Sequence, residues 1–526
     1  MVWTADGPQG RESAKIVWEV APYLRGTGLD LGAGPYRVLP HAITVDNGHH
    51  AQAFGQNFRP DVHVETCEKM QVFASASMDF VFSSHLLEHI ENYKAALIEW
   101  FRLIKLGGYL VLYLPHKDFY PNIGQPGSNP DHKHDFLPSD IVDAMLECKG
   151  WDLIEKQDRN EVTEYSMLLI FQKVQGRGHE FSCDMTKPTK TALVCRFGAF
   201  GDLMQSSSVW AGLKNQGYHI TLMTSRPGCD IVTEDPNIDK MMILDKDQVP
   251  NAHLSDFWAW QAKKYDKLVN LSESVEGTYL AMPGRVQSAW WNPTVRHRMM
   301  NYNYVEHQHE MAGVPHDPVI KFYNTKEEKA WARAQRARMG KFVVLWSLAG
   351  SSVHKTWAGL DAIIAALMLN YKDVHVVLCG GPEAVMLEAG WEKEPRVTLT
   401  SGRWTIRQTL SFMKEADLVI GPETGVLNAA ANEQMAKMVF LSHSTENNLT
   451  RDWVNTVSLA SRETTCPGRG NNEAPACHML HYGWDNCKKD EESGTAQCQV
   501  DIPKEEVYFH LEQFIDRALG IERVAA

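Results

Sequence analysis

The chain is poor in the features that would place it in a membrane or on nucleic acid. No run of about 18 consecutive apolar residues occurs among its 526, so no transmembrane helix is expected. The first residues, Met1-Val2-Trp3-Thr4-Ala5-Asp6-Gly7, lack a basic stretch followed by an apolar one, which predicts no secretory signal and a cytoplasmic protein. Basic excess is missing too: the formal net charge is −13, opposite to the balance of a general nucleic-acid binder. Arg285, Arg296, His297 and Arg298 form one local basic cluster, read as a solvated face or as ion pairs. Standard zinc spacing is also lacking. Cys466, Cys477, Cys487 and Cys498 are separated by steps of 11, 10 and 11 residues, which leaves paired disulfides, an irregular metal site or free thiols, with a structural role expected. What remains is an ordinary globular composition, 44% hydrophobic and 22% charged, on a chain too long for a single core.

Two series of strand-like runs stand on either side of a polar stretch near residue 180. In the first, Gly28-Leu29-Asp30-Leu31 runs into Gly32-Ala33-Gly34, a strand ending in a glycine turn that lets a ligand approach the backbone. Ala42–Asp46 reads as a second strand ending in an acid, suited to accept hydrogen bonds from both hydroxyls of a ribose. Met78–Ser83 and Tyr109–Leu114 read as strands, Glu12–Leu24 and Tyr93–Ile104 as helices, the second stopped by Gly107-Gly108. The polar loop Asn129–Phe136 follows the last of these strands. His132 or His134 there is a candidate general base, and with Asp131 and Asp135 the pair is a weak candidate metal site; a solvated surface loop is the competing reading. His85 and His89 are candidates as well, with helix packing favoured for His89.

Taken together, Leu29–Gly34, Asp46, Asp79–His89 and Arg102–Gly108 resemble the class I S-adenosylmethionine-dependent methyltransferases over roughly residues 10–173. The resemblance implies S-adenosylmethionine as cofactor, with Gly32 and Gly34 lining its methionine end, Asp46 on its ribose, and Asp30 and Ser83 also among the cofactor-binding residues. The family's acid near the adenine is either displaced to Glu65 or missing.

In the second series, Thr191–Val194 leads through Arg196-Phe197-Gly198-Ala199-Phe200-Gly201-Asp202 into a helical stretch. Asp202 falls on the first helical turn, as a candidate general base or simply a helix N-cap. Further strands are expected at Ile220–Thr224, Met241–Leu244 and Lys267–Leu271 and, beyond a charged helix Thr325–Met339, at Phe342–Trp346, Val374–Cys379, Val397–Leu399, Leu418–Ile420 and Met438–Leu441. At the carboxyl ends of this second half lie Ser347–Trp357 with Lys355, Gly380-Gly381-Pro382-Glu383, and Gly421-Pro422-Glu423-Thr424-Gly425-Val426-Leu427-Asn428. Glu383 suits a ribose, and Lys355 with the amides of Thr424, Gly425 and Val426 suits a diphosphate.

This second set resembles the heptosyltransferase-like (family 9) GT-B glycosyltransferases over roughly residues 190–520, with Glu423 where the family carries Asp and Asn428 where it carries His. The resemblance implies an inverting transfer from a nucleotide-sugar donor, no metal requirement, and Asp202 as the base. The expected fold class is α/β, a Rossmann-like methyltransferase domain followed by a GT-B glycosyltransferase of two Rossmann-like halves. Its expected boundaries are 1–175 for the methyltransferase domain, 176–190 for a linker, 191–335 for the acceptor half, 336–460 for the nucleotide-sugar half, and 461–526 for a cysteine-containing loop and final helix. The expected function is bifunctional glycan biosynthesis on small-molecule and glycan substrates. Modification of nucleic acid and a non-catalytic assembly role are the alternatives.

Overall fold

The computed structural model describes residues 12–49, 58–161, 164–174, 190–244, 248–249, 253–272, 301–350, 355–461, 477 and 488–521. The expected linker at 176–190 (save Lys190), the basic cluster from Arg285 to Arg298, and Cys466 and Cys487 lie outside these residues. The chain divides into two compact units. Unit 1 comprises Met1–Thr189 with Met242–Lys264, and unit 2 comprises Lys190–Met241 with Tyr265–Ala526. Residues 242–264, read from the sequence as part of the acceptor half, thus cluster with the N-terminal part.

Unit 1 is built on a seven-stranded sheet of β1 (Gly28–Leu31), β2 (Ile43–Asp46), β3 (Val62–His63), β4 (Met78–Ser84), β5 (Ile104–Pro115), β6 (Trp151–Glu161) and β7 (Glu164–Lys173), in the order β3-β2-β1-β4-β5-β7-β6. β1 to β5 are parallel, and β7 runs antiparallel to both β5 and β6. The central strands are largely apolar and buried on both faces; Leu29, Leu31, Val81, Leu110 and Leu112 are fully buried. The helix Tyr93–Leu103 turns Ala96, Leu97, Trp100 and Phe101 inward, at the three-to-four-residue spacing of one helical face. It starts where the Asn92 side chain accepts the Ala95 N–H at 3.2 Å.

Two local expectations change. The stretch Glu12–Leu24 is not one helix. It is a 3-10 turn Glu12–Lys15, a short α-helix Val17–Val20 and a second 3-10 turn Ala21–Tyr23, since Pro22 supplies no N–H to continue the ladder. Gly107 and Gly108 do not stop the second helix, because β5 has already begun at Ile104. Gly108 lets β4 and β5 pass closely: a Cβ on it would stand 2.5 Å from the Asp79 carbonyl oxygen, beside a register shift between Met78 and Phe80.

The helix Leu254–Lys264 packs on the helix Val17–Val20 within unit 1. The buried Glu19 carboxylate is its anchor, taking Arg159 at 2.7 Å and Lys264 at 3.1 Å. A buried carboxylate with two cationic partners is compensated in a way that a bare one is not.

Unit 2 holds two sheets. The first has β8 (Thr191–Cys195), β9 (His219–Thr224), β10 (Lys240–Ile243) and β11 (Lys267–Asn270) in the order β10-β9-β8-β11. The second is entirely parallel, with β12 (Phe342–Ser347), β13 (Val374–Cys379), β14 (Val397–Leu399), β15 (Leu418–Pro422), β16 (Ala436–Leu441) and β17 (Thr456–Ala460) in the order β14-β13-β12-β15-β16-β17. The strand order reverses beside β12, so the carboxyl ends of β12 and β15 flank a switch point, where open α/β sheets bind ligands. The edge strand β17 escapes sequence reading because its burial is partial and its apolar run short.

Candidate active sites

In unit 1, β1 ends in a turn where Gly32 and Gly34 have φ of +67° and +52°. A side chain is strained at both positions. A Cβ on Gly32 would crowd the Leu86 side chain at 2.9 Å, whereas one on Gly34 would meet nothing within 4 Å. Gly34 therefore faces open space. Asp46, at the end of β2, accepts the Gly34 N–H at 3.0 Å on one oxygen and the Gly48 N–H at 2.6 Å on the other. Each oxygen keeps a lone pair for a further donor. Ser83, paired with Leu31 across β4 and β1, is fully buried, and its Oγ has no hydrogen-bond partner among the described residues. An open glycine turn, an acid at the next strand end and an orphaned hydroxyl fit the adenosylmethionine site that the sequence predicts.

The other predicted cofactor residues stand differently. Asp30 is 2% exposed and accepts the Val38 N–H at 2.7 Å, so it holds the glycine turn's far end rather than an open surface. Burial pushes its carboxyl up to about 7, against the pull of the Val38 hydrogen bond and Arg37. Glu65 is exposed beyond β3, with the His63 Nε2 at 3.2 Å.

The Asn129–Phe136 loop lies across the segment that follows β4. The backbone N–H of Lys133 donates to the Glu88 carbonyl at 2.8 Å. His132 and His134 consequently diverge, and neither joins Asp131 or Asp135 in the arrangement the sequence suggested. His134 directs Nε2 to the Ile90 and Glu91 carbonyls, at 3.1 Å each, and Asp135 accepts the Ile123 N–H at 3.0 Å. His132 is buried with its Nε2 3.9 Å from Glu88, and its ring centroid is 4.8 Å from that of His89. His89, read as packing, thus belongs to a polar cluster. His85 takes φ of +49° and sets its Nε2 3.0 Å from Ser166 Oγ. Burial, with Lys15 and the neighbouring imidazoles, pushes the His85 ring down to about 3. Glu88 escaped sequence reading because its motif neighbours suggest a plain helical turn.

In unit 2, the helix Phe200–Asn215 starts after Gly198, whose φ is +109°. Ala199 is the N-cap, and Asp202 is not, which corrects the capping alternative. Asp202 is the third helical residue and reaches back to accept the Ala199 N–H at 3.2 Å. Its side chain stays 47% exposed, with an Arg196 guanidinium nitrogen at 3.5 Å.

That helix meets the short helix Gly425–Ala430 through glycines. A Cβ on Gly201 would stand 2.7 Å from Asn428 Nδ2, and one on Gly425 would stand 2.9 Å from the Phe200 Cβ. Gln205 donates to Asn428 Oδ1 at 2.9 Å in the same contact. The two halves of unit 2 are therefore locked together at the turn that carries Asp202 and the turn that carries Thr424.

Glu423 is 4% exposed and spends its carboxylate on the loop after β16. It accepts the Ser442 N–H at 2.5 Å, the Ser444 N–H at 3.2 Å and the Ser444 hydroxyl at 3.1 Å, and has His443 Nδ1 at 2.6 Å. Burial alone would raise this carboxyl. His443 and Lys355 outweigh it and hold the group well below the usual carboxylate range. The predicted donor residue thus organises the crevice wall, and Ser442, His443 and Ser444, which no motif announced, are its partners. Thr424 Oγ1 meets Ser347 Oγ at 3.0 Å, across the ends of β15 and β12. The Gly350 N–H donates to the Lys355 carbonyl at 2.9 Å, and Ala349 bridges Thr356. Val426 is buried against the core, and Glu383 is exposed, folded back over Gly381. Of the late cysteines, Cys477 and Cys498 are half-buried.

Among family models, residues 29–112 match the methyltransferase domain. This gives the chain a methyltransferase domain and with it the transferase class. No curated protein matches the chain. Among solved structures, the chain is similar to a family 9 glycosyl transferase from Veillonella parvula, at 14% identity over 62% of this chain and 98% of that one, TM-score 0.46. It is similar to the ADP-heptose lipopolysaccharide heptosyltransferase II of E. coli, at 13% identity over 62% and 99%, TM-score 0.45. A putative methyltransferase from Bacillus halodurans is similar at 18% identity over 31% of this chain and the whole of that one, TM-score 0.25. The three sheets themselves, by strand order, make the fold α/β with Rossmann-like layers throughout.

Proposed function

We propose that the protein is a bifunctional transferase of glycan biosynthesis. Unit 1 methylates a hydroxyl, most naturally on a sugar, and unit 2 transfers a sugar from a nucleotide donor with inversion. The observation that carries this reading is the presence of two separate ligand-shaped strand ends in one chain. One is the Gly34 turn closed by Asp46 and the unpartnered Ser83. The other is the crevice where Asp202 and Thr424 stand at helix starts joined through Gly201 and Gly425.

In unit 1, Asp46 would orient the ribose of S-adenosylmethionine and Ser83 would satisfy its own hydroxyl on the cofactor. The cofactor, when bound, supplies an electrophilic methyl group. In unit 2, the half-exposed Asp202 would take the acceptor proton as the glycosidic bond forms. Lys355, whose charge already acts on Glu423, would stabilise the negative charge growing on the departing diphosphate. Glu383 would serve the ribose of the donor, and the turn from Thr424 to Val426 its phosphates. No step here calls for a metal in glycosyl transfer. No helix among the described residues is long and apolar enough to cross a membrane, and we place the reaction in the cytoplasm on small-molecule and glycan substrates.

The test is product mass spectrometry after incubation with a panel of nucleotide sugars, sugar and nucleic-acid acceptors and isotopically labelled S-adenosylmethionine. A product carrying both a new glycosyl residue and a labelled methyl group is expected. Labelled methyl on nucleic acid, or no transfer of either group with any donor, would overturn the reading.

A further inference from the structure

The Glu88 side chain is 1% exposed, and neither carboxylate oxygen has a hydrogen-bond partner among the described residues. Stripping a carboxylate of water without replacing its hydrogen bonds costs several kcal/mol. Around it stand three imidazoles. The Glu88 Oε1 lies 3.9 Å from His89 Nε2, 3.9 Å from His132 Nε2 and 3.8 Å from His85 Nδ1. These separations are too long for hydrogen bonds. They suit an ion between the groups: donors held about 2.1 Å from a tetrahedral ion stand roughly 3.4 Å apart. One donor atom each from Glu88, His89 and His132 all lie within 4.8 Å of one another.

The surroundings hold these groups in a ligating posture. His89 Nδ1 lies 3.3 Å from the Asp131 carbonyl oxygen, which accepts only from a protonated nitrogen; in the neutral ring that tautomer carries its lone pair on Nε2. A metal-bound imidazole tied to a backbone carbonyl through its other nitrogen is the usual outer-shell arrangement. His132 is positioned by the loop whose Lys133 N–H is fixed to the Glu88 carbonyl at 2.8 Å. Leu86, two residues before Glu88, packs next to Gly32, so the cluster borders the turn read as the cofactor site.

We infer that Glu88, His89 and His132 form a binding site for one divalent transition-metal ion of the zinc class, with a coordination position left for an oxygen of the methyl acceptor. Two imidazoles and one carboxylate are the donor set of open, substrate-binding sites, in contrast to closed structural ones. The assignment of the open position to the acceptor rests on the methyltransferase reading of unit 1. The metal site itself rests only on these side chains.

Cobalt(II) titration of the chelator-treated full chain tests it. One equivalent should bind and give visible ligand-field bands without the near-ultraviolet charge-transfer bands of thiolate ligation, which would betray the cysteines instead. His132→Asn and Glu88→Gln should each abolish those bands or weaken cobalt affinity by at least about tenfold, the lower range for disturbing a metal's ligand environment. Circular dichroism and melting temperature of the same variants report whether the chain is folded; His89→Asn replaces any variant that fails it. Absent bands, thiolate-type bands alone, or bands unchanged in the variants would overturn the site. A wild-type chain that binds cobalt as described but no S-adenosylmethionine would keep the metal site and remove the methyltransferase reading from it.

Discussion

Asp30 shows how a single buried residue carries both architecture and a pH signature. Its carboxylate accepts the Val38 N–H while burial raises its pKa from 3.8 to about 7. An acid whose folded pKa is raised contributes stability that is fully present below 3.8 and is lost as the pH rises through about 7. The melting temperature of unit 1 should therefore decline across that window, and Asp30→Asn, which can still accept from Val38, should flatten the decline. Calorimetric melts across the window check this, and an equal decline in wild type and variant would refute it. Residue chemistry of this kind was only partly legible in the sequence. The pattern Leu29-Asp30-Leu31-Gly32-Ala33-Gly34 located the turn, yet did not tell that Asp30 is tied to the Val38 amide while Asp46 holds the Gly34 and Gly48 amides. Glu423 was legible as an acid at a strand end. Its saturation by Ser442, His443 and Ser444 was not, since those partners come from the next strand's loop.

The decisive contact between elements is the crossing of the helices Phe200–Asn215 and Gly425–Ala430. Here glycines let backbones approach, and the Gln205–Asn428 hydrogen bond fixes the pair. A β-branched side chain at Gly425 would meet the Phe200 Cβ and the Gly201 amide nitrogen, so relief requires the helices to part. Gly425→Val should destabilise unit 2 by about 1–3 kcal/mol, the usual range for overpacking, and weaken nucleotide-sugar binding. Denaturant melts and donor calorimetry measure both. Unchanged donor affinity would mean that the crossing does not shape the donor site. The sequence announced both glycine turns but not their meeting, because a contact across more than 200 residues leaves no local periodicity. Most parallel strands were legible for the complementary reason: buried parallel strands are continuous apolar runs, whereas the short edges β3 and β17 and the antiparallel pair β6 and β7 were missed.

For the whole molecule, the account requires two chemistries in one chain, each carried by its own unit. The two should separate cleanly under mutation, because Gly32 lies in unit 1 and Asp202 in unit 2. Gly32→Val sets a branched side chain at a φ of +67° against Leu86 and should abolish S-adenosylmethionine binding. Asp202→Asn removes a carboxylate from the crevice while its amide oxygen can still accept the Ala199 N–H, so folding should be nearly unchanged. The most direct measurement is therefore initial rates of methyl transfer and of sugar transfer, taken side by side on wild type, Gly32→Val and Asp202→Asn. The account predicts that Gly32→Val loses methyl transfer and keeps sugar transfer, and that Asp202→Asn loses sugar transfer by at least about 10²-fold while keeping methyl transfer and its melting temperature. An Asp202→Asn enzyme that transfers sugar at the wild-type rate would contradict it, leaving Asp202 as the third residue of a helix and nothing more.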